Sequence, residues 1–253
     1  MALPLLGTQL LVFSGNPDLK YSIETQTDLI LDSVADAGYA GVEGGARDAA
    51  AYRQALDRRG LRYGSSHVGM AALSNIPPLI EYLQAVGSHN ICNSGLMQWN
   101  SRTAEDYHQA ATILNKAGQE FCESGITLHY HHHDFEFEKV EGEKTGMDIL
   151  LAEMDPAAVN LCVDIAWVQK GGSDPAEFLM QHQNRITYLH FKDYNADGWT
   201  ELGSGEVNIK AVMAVLPQMP RVEWVMVEQD STRRDPRESI AISRRYLRDT
   251  FGY

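Results

Sequence analysis

The chain has 253 residues, of which 44% are hydrophobic and 22% charged, and its formal net charge is −13 at pH 7. A chain of this length buries a large core. The negative charge argues against a nucleic-acid substrate, because proteins bind phosphate backbones mainly through Lys and Arg. Its three cysteines, Cys92, Cys122 and Cys162, lie far apart. Their odd number and their spacing disfavour a disulfide framework or a structural zinc site and favour a reducing cytoplasm.

The first apolar run, in MALPLLGTQLLVF, lacks a basic start and is interrupted by a glycine and a glutamine. A membrane span needs about 20 consecutive apolar residues, and a secretory signal begins with basic residues. We therefore interpret the run as a first strand and expect no membrane partner.

Apolar runs typical of strands alternate with amphipathic helical stretches along the whole chain. In order, the pairs are LLGTQLLVF with SIETQTDLILDSVADAG, YAGVEGG with RDAAAYRQALDRRG, LRYGSSHVG with PPLIEYLQAVG, HNICNSG with TAEDYHQAATILNKAGQEFCESG, ITLHYHHHD with TGMDILLAEM, AVNLCVDIAW with DPAEFLMQH, RITYLHFKD with VNIKAVMAVLPQM, and VEWVMVEQD with DPRESIAISRRYLRDTF. The early helical stretches end at a glycine, which is a common helix stop. The alternation predicts parallel strands covered by helices.

Eight such pairs are typical of a (β/α)8 barrel, whose active sites lie at the carboxyl ends of the strands. No linker rich in Pro, Ser or Gly divides the sequence. We therefore predict an α/β fold, a single (β/α)8 TIM barrel domain over residues 1–253. A doubly wound open sheet is the alternative, and it has less support because no G-x-G-x-x-G motif opens the first helix.

Polar side chains follow the apolar runs where the strands end, and in a barrel they would converge on one mouth. They are Glu43, His67, the segment 131–136, Asp164, His190 with Lys192, and Glu228 with Asp230. A single polar residue at such a place more often caps a helix or meets water. Asp164, His190 and Glu228 differ, because each directly follows an apolar run. Burying an ionisable group there is costly unless it is paired or bound to a metal.

Two carboxylates and an imidazole are donors that suit Mn²⁺, Mg²⁺, Co²⁺ or Zn²⁺. We therefore predict one bound divalent ion. Such a cation polarises a carbonyl and stabilises the enediolate that forms when a proton leaves the neighbouring carbon. The remaining carboxylates and imidazoles can then act as base and acid.

The segments YHHHDFEFE, LCVDIAWVQKGGSDP, RITYLHFKDY, LGSGEVNI and VMVEQD resemble the sugar phosphate isomerase/epimerase group of xylose isomerase-like barrels. They are most similar to the branch whose fifth strand carries Tyr-His-x-His followed by Phe-Glu-Phe. The resemblance implies that Asp164, His190 and Glu228 bind the metal. In much of that superfamily the fourth ligand is a glutamate on strand five, whereas this sequence has His131 there and Glu136 further on.

Alternation along the fifth strand places His131 and His133 on one face and His132 on the other. We favour Glu136 as the residue that completes the metal shell, with His131 and His133 contacting the substrate or moving protons as the catalytic residues. In the alternative, His131 is the ligand and Glu136 is the acid or base.

The resemblance also implies contacts with the substrate. Glu43 and His67 match positions that line the family's pocket, and a capping role is their alternative. Lys192 either holds a substrate hydroxyl or phosphate or forms a surface ion pair with Asp193. Trp167 either stacks on a sugar ring or packs at the barrel rim.

Together these features predict a cytoplasmic, metal-dependent sugar isomerase or epimerase that acts by proton transfer next to a carbonyl. The main alternative is a metal-dependent dehydratase or lyase acting on an inosose or a 3-keto-sugar, and a further alternative is a non-catalytic sugar-binding barrel. A metal-dependent nuclease is disfavoured by the acidic charge. The expected partner is a small-molecule sugar or sugar derivative, and a homo-oligomer is compatible with the sequence.

Overall fold

The structure is a computed structural model and describes residues 3–253. Its parallel strands close into an eight-stranded barrel in which each strand pairs with the next and the last pairs with the first. The strands are β1 (Leu5–Gln9), β2 (Gly41–Glu43), β3 (Arg62–Gly69), β4 (Asn90–Ser94), β5 (Thr127–His131), β6 (Val159–Asp164), β7 (Ile186–Phe191) and β8 (Trp224–Val227). The predicted (β/α)8 barrel is confirmed.

Helices surround the barrel. They are α1 (Thr27–Ala37), α2 (Ala49–Asp57), α3 (Pro77–Val86), α4 (Ala104–Glu123), α5 (Gly146–Glu153), α6 (Ile165–Lys170), α7 (Pro175–His182), α8 (Ile209–Val215) and α9 (Pro236–Phe251). Helices α1 and α3 end at Gly38 and Gly87, whose φ angles of 89° and 81° lie in the left-handed region. Glycine adopts that region without steric cost, which explains the stops seen in the sequence.

The structure departs from the predicted elements at several strand ends. Strand β1 ends at Gln9, and residues 10–13 form a short 3-10 helix. Strand β6 ends at Asp164, and α6 begins at the next residue. A small hairpin, Asp193–Asn195 with Gly198–Thr200, follows β7. Across residues 3–253, no helix has the length and apolar character needed to cross a membrane.

Large side chains fill the barrel interior. A separate buried cluster consists of Cys92, Cys162, Tyr188, Trp224 and Met226. Close packing here requires small residues on the facing strands, because a Cβ atom at position 64 would lie 2.1 Å from Met226 Cε. The barrel interior is therefore a packed core.

The amino-terminal end of the barrel contains a closed polar network. The His129 Nε2 atom lies 2.9 Å from Asn90 Oδ1, and His129 Nδ1 lies 3.0 Å from the Thr187 hydroxyl. The Asn90 side chain also donates to Glu223 over 3.2 Å, and Glu223 in turn contacts His89 at 2.9 Å. Both nitrogens of the buried His129 ring are therefore satisfied by the protein.

Candidate metal centre and substrate cavity

A cavity of about 600 Å³ opens at the carboxyl ends of the strands. Side chains from most of the strand ends line it: Gln9, Leu11, His67, Ser94, Trp99, Arg102, His131, His133, Asp134, Phe135, Trp167, Lys192, Glu228 and Asp230. Of the predicted substrate contacts, His67, Lys192 and Trp167 lie on its wall. Glu43 does not.

Four buried side chains converge at the floor of this cavity. They are His131 on β5, Asp164 on β6, His190 on β7 and Glu228 directly after β8, and we call them the floor cluster. One potential ligand atom from each lies within 4.8 Å of the others. The register of the barrel explains the convergence, because Asp164 and His190 are direct partners across β6 and β7.

Asp164 divides its two carboxylate oxygens between two tasks. Its Oδ1 atom accepts hydrogen bonds from the backbone N–H groups of Ala166 at 2.8 Å and Trp167 at 3.1 Å, and so caps the amino terminus of α6. Its Oδ2 atom is buried and has no hydrogen-bond partner within residues 3–253. Burial raises the pKa of this carboxyl to about 7.

His190 is held from below by Glu43. The His190 Nε2 atom lies 3.2 Å from a Glu43 carboxylate oxygen, and Glu43 also contacts His67 Nδ1 at 3.0 Å. Burial alone would raise the pKa of Glu43, but the two histidines outweigh it and hold that pKa below its usual range. A carboxylate behind one ring nitrogen orients a metal-binding histidine, and the other ring nitrogen of His190, Nδ1, contacts Glu228 Oε2 at 2.5 Å within the floor cluster. Glu43 is fully buried and therefore supports His190 instead of forming part of the cavity wall.

The floor cluster fits a divalent ion. Its buried Asp164 Oδ2 atom has no hydrogen-bond partner in the described part of the chain, and such an atom costs about 1–3 kcal/mol unless something else satisfies it. The His190 Nδ1 and Glu228 Oε2 atoms lie 2.5 Å from each other beside it. Carboxylate oxygens combined with imidazole nitrogens are donors for Zn²⁺, Mn²⁺, Co²⁺ or Mg²⁺.

The structure brings His131, and not Glu136, into the floor cluster. After β5 the chain turns into a 3-10 helix at residues 135–137. The Glu136 carboxylate points back and accepts hydrogen bonds from the Tyr130 hydroxyl at 2.6 Å and the His133 backbone N–H at 2.8 Å. Burial raises the pKa of Glu136 to about 7. The geometry therefore agrees with the alternative that the sequence left open, in which His131 is the ligand, and Glu136 lies outside the floor cluster.

His133 lies above the floor cluster on the cavity wall. Its ring stacks on Phe135, with 5.2 Å between ring centres, and meets the edge of Trp99 at 4.9 Å. Its buried Nδ1 atom has no hydrogen-bond partner within residues 3–253. Burial lowers the pKa of His133 to about 3, so the ring is neutral at pH 7. His132 points the other way and is buried against Phe137, as strand alternation predicts.

Lys192 is a buried cation at the cavity wall. Its Nζ atom lies 2.6 Å from Asp230 Oδ1 and 3.4 Å from Glu228 Oε1. It also lies 4.2 Å from the centre of the Trp199 ring and 5.0 Å from that of Trp167. Burial lowers the pKa of Lys192, but the nearby carboxylates outweigh it and raise the pKa overall, so the group stays charged. The surface ion pair with Asp193 that the sequence allowed is not formed.

Asp193 has a structural role instead. Its buried carboxylate accepts backbone N–H hydrogen bonds from Gly203 and Gly205, both at 3.0 Å, and from Val207 at 3.1 Å. A Cβ atom on residue 205 would lie 2.1 Å from Asp193 Oδ1, so glycine is required for this close approach. The loop after β7 is thereby fixed beside the cavity.

Several cavity residues were not identified from the sequence. Trp99 and Arg102 lie on the loop between β4 and α4. The only available signal was the single aromatic residue in LMQWNSR, which no periodic pattern distinguishes from a packing residue. Asp230 was placed at the strand end, but its pairing with Lys192 could not be read from the sequence.

A closed (β/α)8 barrel with a buried histidine and carboxylate cluster at the carboxyl ends of its strands defines a class, the TIM barrels with a candidate metal centre. A family model described as xylose isomerase-like TIM barrel matches residues 31–250. The chain belongs to this family.

Two curated relatives are named inosose dehydratase. The protein from Clostridium tetani is 28% identical over 168 residues, which cover 58% of this chain and 55% of that protein. The protein from Geobacillus kaustophilus is 25% identical over 267 aligned residues, which cover 87% of this chain and 86% of that protein. The match to the first relative therefore spans about half of that protein's length.

Solved structures show the same fold. A sugar phosphate isomerase/epimerase from Parabacteroides distasonis has a TM-score of 0.79 at 21% identity, with 99% of this chain and 96% of that chain covered. The IolI protein, in a crystal structure with a binding zinc atom, has a TM-score of 0.75 at 13% identity, with 97% of each chain covered. At these identities the likeness concerns the fold alone.

Proposed function

We propose that the protein is a divalent-metal-dependent enzyme that acts on a sugar or a sugar derivative by moving a proton on the carbon next to a carbonyl. The floor cluster carries this proposal, because four buried carboxylate and imidazole donors converge there and the Asp164 Oδ2 atom has no partner in the described chain. The inosose dehydratase relatives and the structurally similar sugar phosphate isomerase/epimerase support a sugar or a cyclitol as the substrate class.

The residues divide into holders of the ion and groups that face the substrate. His131, Asp164, His190 and Glu228 would hold the ion, and Glu43 would orient His190. When bound, the ion polarises the substrate carbonyl and stabilises the negative charge that develops as the proton leaves.

The chain supplies a base and a cation above the floor. His133 is neutral and offers the free Nδ1 atom for accepting a proton from carbon. Lys192 is held charged by Asp230 and Glu228 and binds a substrate oxygen. The Trp167 indole N–H is also buried without a partner in the described chain, and it donates a hydrogen bond to the substrate.

Two reactions begin with this proton transfer. Isomerisation or epimerisation returns a proton to carbon, and this is our first candidate. Dehydration instead expels a hydroxyl group from the carbon beyond the one that lost the proton. The inosose dehydratase relatives favour dehydration as the second candidate.

One experiment separates the candidates. The Mn²⁺-loaded protein is incubated in D₂O with an inosose and, separately, with a panel of ketohexoses. Deuterium on the carbon next to the carbonyl, detected by NMR without a loss of water, identifies an isomerase or epimerase. A product lighter by one water molecule identifies a dehydratase. Neither exchange nor product with any compound, in protein shown to contain metal, would refute the enzyme proposal and favour a sugar-binding barrel.

A further inference from the structure

The cavity has an aromatic region above the polar floor. We call it the outer wall, and it consists of Leu11, Trp99, Arg102, Asp134 and Phe135. None of these residues belongs to the floor cluster. The proposed chemistry at the floor gives the outer wall no role.

Trp99 packs against its neighbours but remains open to the cavity. Its ring packs over Gly95, where a Cβ atom would lie 2.9 Å from the indole. Its edge contacts the rings of His133 at 4.9 Å and Phe135 at 5.7 Å. Trp99 is nevertheless 47% exposed, and Leu11 beside the same cavity is 44% exposed. Exposed apolar side chains grouped in a concave site indicate a binding surface.

Polar groups accompany this aromatic surface. The Arg102 guanidinium lies 3.8 Å above the Phe135 ring, and its Nε atom donates to the Trp99 backbone carbonyl at 3.1 Å. These contacts hold the Arg102 side chain at the cavity wall. Asp134 adds a carboxylate on the same side. Fixed hydrogen-bonding groups beside an aromatic ring match a ligand that has both an apolar face and hydroxyl groups.

The outer wall is connected to the floor cluster through the His133 ring. The His131 ring lies 5.0 Å from the His133 ring, which in turn lies 4.9 Å from Trp99. The His133 ring therefore lies between Trp99 and the floor cluster. A cavity of about 600 Å³ falls in the range of about 300–1,000 Å³ that proteins use for drug-sized ligands, which are larger than a monosaccharide.

We propose that the outer wall is a second subsite that binds a second ring, so that the substrate is a glycoside whose reacting sugar, a keto-sugar with the carbonyl in its own ring, lies at the floor. The second ring stacks on Trp99, and its polar groups contact Arg102 and Asp134. It is either another sugar or an aromatic aglycone, since both present a flat apolar face. This inference rests on the proposed function and narrows its substrate class.

Calorimetric titration of the Mn²⁺-loaded protein tests the subsite. The probes are glucose, galactose and mannose, the 4-nitrophenyl glycoside of each, and a disaccharide that carries each at its non-reducing end. We expect at least one two-ring compound to bind about tenfold more tightly than its free sugar, a difference of about 1.4 kcal/mol. Preference for the disaccharide or for the aryl glycoside identifies the nature of the second ring.

Variants localise the effect. Trp99→Ala should remove the advantage of the two-ring compound and leave binding of the free sugar unchanged, whereas Trp99→Phe should keep part of the advantage. Met97→Ala is the matched control, because Met97 lies on the same loop and is 49% exposed but does not line this cavity. Two-ring compounds that bind no more tightly than their free sugars, or an advantage that survives in Trp99→Ala, would overturn the subsite. Deuterium exchange with a single-ring ketone does not depend on the outer wall, so a failure of the proposed chemistry would appear separately.

Discussion

Both ends of the barrel contain buried histidines and polar side chains, but they differ in whether the buried polar atoms have hydrogen-bond partners. At the amino-terminal end, both ring nitrogens of the buried His129 have partners in Asn90 and Thr187. At the carboxyl-terminal end, Asp164 Oδ2 and His133 Nδ1 are buried without a hydrogen-bond partner in the described chain. Strand β5 thus carries His129 in a closed network at one end and His131 in an open cluster at the other.

The contrast shows how burial and hydrogen bonding together separate structural from functional histidines. Buried polar groups in native proteins are almost always hydrogen-bonded, and a fully satisfied network stabilises a unique core. A cluster that leaves several atoms unpaired lowers stability unless a ligand completes it. We therefore expect substitutions at the amino-terminal end to change stability alone and those at the floor cluster to change metal binding.

The largest effect is expected for Asp164→Ala. The substitution removes a charged donor from the floor cluster, so the protein should lose a bound divalent ion and all detectable turnover. Elemental analysis of the wild type should find about one ion per chain, as a single site of this kind requires. If the wild type binds no divalent ion even after supplementation, the floor cluster is not a metal site. The two ends of the barrel would then not differ in metal binding.

His133→Asn should retain the metal and lower turnover by about 10²–10⁴-fold, the usual contribution of an acid or base group. Metal affinity and kcat have to be measured on the same preparation. His132→Asn is the neighbouring control, because His132 points away from the cavity and is packed against Phe137. Unchanged turnover in His133→Asn would exclude His133 as the base.

Glu43→Gln should weaken metal binding by about 10–100-fold, the usual cost of losing the carboxylate behind a metal-binding histidine. Glu223→Gln is the matched control at the other end of the barrel, where Glu223 contacts Asn90 and His89. It should lower the free energy of unfolding by about 1 kcal/mol and leave metal affinity unchanged. Equal metal affinities in the two variants would show that the position of Glu43 beneath His190 has no consequence for binding.

The smallest effect is expected for Glu136→Gln, which should change only the pH dependence of stability. Burial raises the pKa of Glu136 from 4.5 to about 7, so the folded state favours the protonated form. In the wild type, ionisation of Glu136 therefore opposes folding increasingly as the pH rises from 4.5 to 7. Glutamine does not ionise, so the stability of the variant relative to the wild type should rise across this interval and then level off. Denaturant titrations at several pH values check this, and a relative stability that falls with pH would refute it.

The sequence predicted the barrel well because its signals were local and repeated. Apolar runs followed by helices that stop at Gly38 and Gly87 specify each unit without knowledge of the others. Asp164, His190 and Glu228 were identified as cluster members for the same reason, since each directly follows an apolar strand whose direction fixes where the next side chain lies.

The errors occur where the chain leaves strand geometry. The choice between His131 and Glu136 depended on the path after β5, and the turn at residues 135–137 carries Glu136 back onto its own strand. Glu43 was placed on the cavity wall, but a register shift between β2 and β3 occurs at this residue, which lies beneath His190. Such shifts and turns depend on tertiary contacts and have no periodic signal in the sequence.

The two oxygens of Asp164 link the cavity to a helix. One oxygen caps the first turn of α6 and the other faces the floor cluster. Since both belong to one rigid group, any cation that fixes the carboxylate also fixes the start of α6, and thermodynamic coupling of this kind is reciprocal. Loosening the first turn of α6 should then weaken affinity at the floor cluster without touching a ligand. Substitutions on the outer surface of α6 should thus change the affinity of the floor cluster for a cation, although they lie outside the cavity.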